Sequence, residues 1–324
     1  MESTEQVIGF EDIAAATSLT FDFRFLAIQF VGTFLSLAIF YTFSFFSFAM
    51  LFSYTVVGAC IIIIFGLVIS YPLMSATLLV SSTVQKDGFP SKIEPFVALL
   101  QPKFLRNIIC SFICVVVTSI LALPHFILLL IGTAVRGGEV LLALFLIPLM
   151  ALTVLQLLVL FLGLFVIPQL IASEQGDLAD LFQMFRSIVL TGAKHLMVRH
   201  TFGLILSILL ALPLWLVVDF SLGALGAMTS AVVSDSPADT KEVSAAKIQP
   251  PIPVLPLFPK QLAAFSPVLQ KDNHLARFLI GFATVFAFSF PLAIGFLCQS
   301  ATGLLAIRTL SPSDDYSDYP PSGL

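Results

Sequence analysis

Histidine is the side chain best suited to proton transfer or metal binding near neutral pH, and this sequence has four: His125, His195, His200 and His274. A helical metal site wants two ligands on one face, as in the HExxH pattern, and no such spacing occurs. His195 and His200 are five positions apart, so they share no helix face. Both stand beside Lys194 and Arg199, which reads as contact with lipid headgroups. His125 follows Pro124 at the end of an apolar stretch and reads as an interfacial residue. The four cysteines, Cys60, Cys110, Cys114 and Cys298, lie inside apolar stretches, where a thiol behaves as a small hydrophobe. No Walker, GxSxG or GxGxxG pattern is present. The sequence therefore offers no catalytic residue, no metal site and no cofactor site, and the chain reads as a non-enzyme. Asp219 is the one candidate for an intramembrane charge. It lies about 30 Å beyond Arg199 at a helical rise of about 1.5 Å per residue, which places it at the far interface beside Trp215. Gln29, Gln156 and Gln299 sit deep in apolar stretches, where glutamine bonds between helices more readily than it binds substrate.

The elements that would carry these residues are membrane spans. The 324 residues are 58% hydrophobic and only 10% charged, against about 25% charged in soluble domains. No charge lies between Arg24 and Lys86, between Arg106 and Arg136, between Glu139 and Glu174, or between Arg277 and Arg308. A helix needs about 20 apolar residues to cross the hydrocarbon core. The first gap holds two spans and each of the others one, with a further span after Thr201. The sequence predicts an all-α polytopic bundle with spans near 25–48, 54–82, 107–133, 140–170, 201–219 and 275–308, in a single membrane domain over 25–310. Arg24, Lys86, Lys92, Lys103, Arg106, Arg186, Lys194, Arg199 and Arg308 fall on one side and outnumber the basic residues on the other. That asymmetry predicts a multi-pass protein of the cell inner membrane with both termini cytoplasmic. Residues 1–24 carry five acids and only Arg24, unlike the basic start of a signal peptide, so the first span reads as an uncleaved anchor. The net charge of −4 gives no sign of nucleic-acid binding.

Three segments share a pattern of Gly, a short mixed stretch, a basic residue and then a span. They begin at Gly9, Gly88 and Gly176, and "SILALP" ending at Pro124 matches "SILLALP" ending at Pro213. The unit predicted is a cytoplasmic interfacial helix, a span out and a span back, repeated three times. In the third copy Leu178, Leu181, Phe182, Phe185, Ile188 and Val189 form one helical face, and Asp177, Asp180, Gln183 and Arg186 form the other, as in a helix that lies at headgroup level or packs under the bundle. The outer loop 233–273 contains Pro250, Pro251, Pro253, Pro256 and Pro259 around Phe258, a density that favours an extended polyproline strand. Pro250, Pro251, Pro253, Pro256 and Phe258 are the candidate partner contacts, although a stiff spacer over the bundle satisfies the same composition. The acidic, proline-rich tail 311–324 reads as disordered.

The stretch from Pro168 to Leu210 resembles a bacterial six-helix inner-membrane family. That family includes the membrane domain attached to some glycerophosphodiester phosphodiesterases. The resemblance rests on Pro168, Glu174, Gly176 and Arg186-Ser187, with Ile188 where the family often has Trp. It implies a membrane-embedded domain. No phosphodiesterase catalytic domain accompanies it, so that activity is not implied.

Two functions follow as expectations. The absence of polar residues in the spans, the three interfacial helices and the proline-rich outer loop suit a scaffold or accessory subunit, partnered by the bilayer and by other membrane subunits. The prolines inside spans (Pro72, Pro124, Pro148, Pro168, Pro213 and Pro291) and the 33 phenylalanines suit a permease or lipid-handling protein.

Overall fold

A computed structural model describes residues 22–52, 56–88, 93–134, 140, 143–173, 183, 186, 193–234 and 274–310. Segments 1–21 and 311–324 and the candidate partner contacts at 250–258 lie outside these residues, as do Leu178, Leu181, Phe182 and Phe185. Arg186 and Gln183 are helical and exposed.

Among the described residues the chain is entirely helical, and six helices are long and apolar enough to cross a membrane. This is the polytopic helical architecture expected, because a backbone in hydrocarbon can satisfy its polar groups only within a helix or a closed barrel. The helices are α1 (Phe23–Phe52), α2 (Val56–Asp87), α3 (Ile93–Ala134), α4 (Leu146–Phe161), α5 (Ile167–Ser173), α6 (Ala193–Ser234) and α7 (His274–Leu310). Together α4, a π-helical turn at Leu162–Val166 and α5 make the fourth span.

Two helices run further than the sequence boundaries. Residues 93–106, expected as a separate interfacial segment, continue into the third span as one α3 helix. The fifth span was placed at 201–219, yet α6 starts at Ala193 and ends at Ser234. Both boundaries were drawn at charged residues, and in both cases those residues sit within a helix that continues past the bilayer core.

Consecutive spans pack as hairpins: α1 with α2, α3 with α4, and α6 with α7. The centre is α2 and α7, which touch each other and hold α1 between them on one side. On the other side α5 inserts against α2, α3 and α7, whereas α4 rests on α3 and the π turn. The main core cluster is built on α5: Leu170, Ile171 and Ala172, with Val166 before it, meet Leu79 of α2 and Leu304 and Ile307 of α7. At the opposite end the bundle is aromatic, with Tyr41, Phe278 and Phe288 packed beneath Trp215.

The π turn has a local cause. Pro168 has no N–H to give the Leu164 carbonyl, and its ring crowds that carbonyl. One extra residue is absorbed before it, and Ile167 N–H bonds to Leu162 O instead. Tyr71 of α2 covers the irregular stretch, its hydroxyl donating to Leu160 O at 2.8 Å. Of the other span prolines, Pro72, Pro124, Pro213 and Pro291 lie inside helices that continue through them, and Pro148 stands in the first turn of α4, where no helical carbonyl awaits its N–H.

Candidate functional site

The spans are not depleted of polar groups inside the bundle. Gln29, Ser75, Ser81, Ser82, Asn107, Ser111, Gln169, His200, Gln299 and Ser300 are all buried, and they gather at the end where α1 begins and α7 ends. Span alternation explains the gathering. Each residue lies within a few turns of the helix terminus at that end, in all six spans. Most are serines and glutamines, which hydropathy patterning reads as minor interruptions of a greasy segment.

Hydrogen bonds tie the layer together across helices. Ser81 Oγ donates to Gln29 Oε1 at 2.8 Å, linking α2 to α1. Ser82 and Ser300 share a hydroxyl contact of 2.7 Å, linking α2 to α7. Ser75 Oγ donates to Asn107 Oδ1 at 3.0 Å, linking α2 to α3. Gln29 and Gln299 therefore do bond between helices, as expected of span glutamines. Gln156, on α4, has an amide nitrogen with no partner among the described residues.

Two lysines hold the end of the fourth span. Lys86 Nζ donates to Ser173 O at 2.9 Å and Lys103 Nζ to Ala172 O at 3.1 Å. Last-turn carbonyls have no helical donor and carry the negative end of the helix dipole, so ammonium groups suit them. Lys103 was assigned to a cytoplasmic loop. It is instead buried inside α3, because that helix begins nearly four turns before the expected boundary.

The centre of the site is Gln169, Gln299 and His200. His200 was expected at the headgroups. It is only 3% exposed, because the early start of α6 carries it inward to face α7. Gln299 Nε2 lies 2.8 Å from His200 Nδ1 and 3.4 Å from His200 O. Gln169 Nε2 donates to Gln299 O at 3.3 Å. Both amide nitrogens thus face acceptors, which fixes the orientation of each amide and turns its oxygen away. His200 Nδ1 accepts, so its proton sits on Nε2. Neither Gln169 Oε1, Gln299 Oε1 nor His200 Nε2 has a hydrogen-bond partner among the described residues.

Two glycines make this arrangement possible. A side chain at Gly203 would run into Thr302 and Gln299, and one at Gly303 would run into Gln169. The close approach of α5, α6 and α7 needs a bare backbone at those two positions, the usual means of bringing membrane helices together. Above the layer stand rings from three helices: Phe165 lies 5.1 Å from Phe161 and 5.5 Å from Phe296, and Phe161 meets the His200 ring edge-on at 5.9 Å.

Elsewhere the candidate residues are less coupled. His125 Nε2 contacts Leu149 O and Thr153 Oγ1 on α4, a link within the α3–α4 hairpin. Asp219 is half-buried within the fifth span, between Trp215 and the end of the apolar window at Leu225. Cys110, Cys114 and Cys298 are free thiols. A groove of about 540 Å³ runs between α1 and α2, edged by Phe104. Its lining is apolar apart from Thr77, whose hydroxyl is closed on Leu73 O, so it offers a polar ligand nothing to bond.

Set against known proteins, the chain matches no family model, no curated protein and no solved structure. The functional argument therefore rests on the site itself. Sequence reading missed Gln169 and Asn107. Gln169 stands next to Pro168 in a stretch taken as a span end, and Asn107 was hidden by the same misplaced boundary as Lys103.

Proposed function

We propose that this integral membrane protein is a non-enzymatic binder or carrier of a small neutral polar or amphipathic molecule, in the permease or lipid-handling class. The observation that carries this reading is the trio Gln169 Oε1, Gln299 Oε1 and His200 Nε2, buried and without hydrogen-bond partners among the described residues, beside the π turn of the fourth span. An unpaired polar group inside a protein costs about 1–3 kcal/mol. Three together, at a site fixed by two glycines, return nothing to the fold. Single π turns inside α-helices are also frequent at functional sites. Two acceptors and one donor suit a ligand that both gives and accepts hydrogen bonds. Lys86 and Lys103, one turn away, disfavour a cation, and the two amide oxygens disfavour an anion.

The scaffold reading drew on the lack of polar residues in the spans, and the buried polar layer removes that support. A second observation still favours an accessory-subunit role: α4 has no buried residue, and leaves Ile147, Met150, Val154 and Leu157 open along its length. Lipid covers such a face as readily as a partner does. Co-purification of a stoichiometric partner with the wild type, lost on polar substitution along that face, would support it. We place the polar end of the bundle in the cytoplasm, on the distribution of lysine and arginine.

The test is binding. Purified protein in nanodiscs should be stabilised against heat by glycerol, at concentrations where ammonium chloride and sodium phosphate have no effect. Gln169→Leu and Gln299→Leu should each abolish that stabilisation while the protein still elutes as a folded species. Equal responses in wild type and both variants would count against the reading.

A further inference from the structure

A second polar feature runs along α3 and touches none of the three central atoms. Lys103, Asn107 and Ser111 are spaced i, i+4, i+8, and Cys114 follows at i+11, so they form one stripe on the helix. Lys103, Asn107, Ser111 and Cys114 are all buried. The stripe faces the fourth span in antiparallel register. Lys103 meets Ala172 at its end, and Cys114 lies against Gly163 in the π turn.

The stripe is underbonded. Asn107 Oδ1 accepts from Ser75, which fixes the amide and leaves Asn107 Nδ2 without a partner among the described residues. Ser111 Oγ has none either. A serine in a membrane helix ordinarily closes its hydroxyl on the carbonyl one turn back, as Ser119, Ser207 and Ser289 do here. Ser111 does not, although the same local bond is open to it. Buried polar groups of this kind are normally satisfied by ordered water.

We infer that the face of α3 from Lys103 to Ser111 is a hydrated half-channel, a file of water entering from the Lys103 end. Its length is about 12 Å at a rise of about 1.5 Å per residue. The file stops at the π turn, which separates it from Thr118, one turn beyond Cys114, whose buried hydroxyl also has no partner among the described residues. There the Tyr71 hydroxyl and the Cys114 thiol close on Gly163, and Val115 and Tyr71 seal the cluster with Leu160 and Leu164. The bulge in the fourth span thus serves as a plug, and the hydrated segment ends inside the membrane. This inference stands apart from the proposed ligand site, because it needs no solute and uses different atoms.

Thiol accessibility tests it. In a version with all native cysteines replaced by alanine, single cysteines are placed by Ser111→Cys, Val115→Cys and Thr118→Cys. They are then treated in sealed vesicles with a charged, membrane-impermeant methanethiosulfonate. From the Lys103 side, S111C should react at least tenfold faster than V115C, which is equally buried but lies one turn further along the same stripe, within the plug. Adding Asn107→Leu should slow S111C by about tenfold. T118C, beyond the plug, should stay unreactive from that side. An S111C rate equal to that of V115C would overturn the half-channel, and a fast T118C would overturn the plug. Should the cysteine-free protein fail to fold, radiolytic footprinting of the wild type gives the answer directly. Water beside Cys114 and Tyr71 should oxidise Tyr71 several-fold more than Tyr41, which is buried in an aromatic cluster. Equal oxidation of the two tyrosines would also overturn the inference.

Discussion

The two halves of the fourth span belong to one uncharged apolar stretch and are opposite in environment. The first half, α4, runs Leu146–Phe161 without one buried residue. The second half, α5, runs Ile167–Ser173 and buries Pro168, Gln169, Leu170, Ile171 and Ala172. One is a lipid-facing strut leaning on α3. The other is a short plug of protein interior gripped by α2, α3 and α7, with two lysines on its terminal carbonyls and a glutamine at its centre. In water the apolar face of a helix would identify its buried side. In a bilayer the solvent is as apolar as the core, so composition locates the span and says little about which part is inside. The difference lies in the few polar groups, because these must find partners within the protein.

The sharpest way to break that comparison is to remove the same side chain from each half. Leu170→Ala opens a cavity where Leu170 is fully enclosed, and we expect a loss of about 3 kcal/mol in folding stability. Leu157→Ala, at a position 61% exposed, should change stability by less than about 0.5 kcal/mol. Unfolding in mixed bicelles, followed by intrinsic fluorescence of Trp215, would measure both. Comparable losses would mean that α4 is also covered, which would favour a partner subunit on its outer face.

The unequal legibility of the sequence has the same origin. The six spans could be read because Arg24, Lys86, Arg136, Glu174 and Arg308 interrupt long uncharged stretches. Hydrocarbon tolerates few such interruptions. Their ends could not be placed by charge, since Lys103 and His200 are accommodated inside the bundle by bonds to Ala172 and Gln299. A basic residue next to another, as His200 is to Arg199, looks like a headgroup contact. Only the rotation of α6 shows that His200 turns inward. Gln169 was unreadable for a different reason. Beside Pro168 it resembles the fraying end of a span, whereas the π turn carries the helix past that point and into the core. The layer of serines was visible as residues but not as a layer, because its assembly requires the antiparallel register of all six spans.

The next test concerns what anchors the second half and not the first. Lys103→Met removes a buried ammonium and its bond to Ala172 O while keeping most of the side-chain volume. Relief of the desolvation cost offsets part of the lost charge-assisted bond, so we expect a net loss of about 1 kcal/mol. Lys86→Met, where the lysine is half-buried, should cost less, because water can replace the ammonium at Ser173 O. If both substitutions leave stability unchanged while Leu170→Ala does not, the plug is held by packing alone.

The smallest effect should come at the joint between the halves. Tyr71→Phe deletes one hydroxyl bond, to Leu160 O, at the start of the π turn. Hydrogen bonds between membrane helices average about 0.6 kcal/mol, and the loss in stability should be of that size. Its local consequence should be larger than its global one. The hydroxyl also lies against Gly163, so its removal loosens the contact that sets the depth at which α5 begins. A cysteine pair at Val68 and Leu164, whose side chains share one cluster, would report that looseness as slower disulfide formation in Tyr71→Phe than in the parent. An unchanged rate would assign the break to Pro168 alone. The two environments of the fourth span would then be separated by the missing N–H of one proline, with no contribution from the helix packed against it.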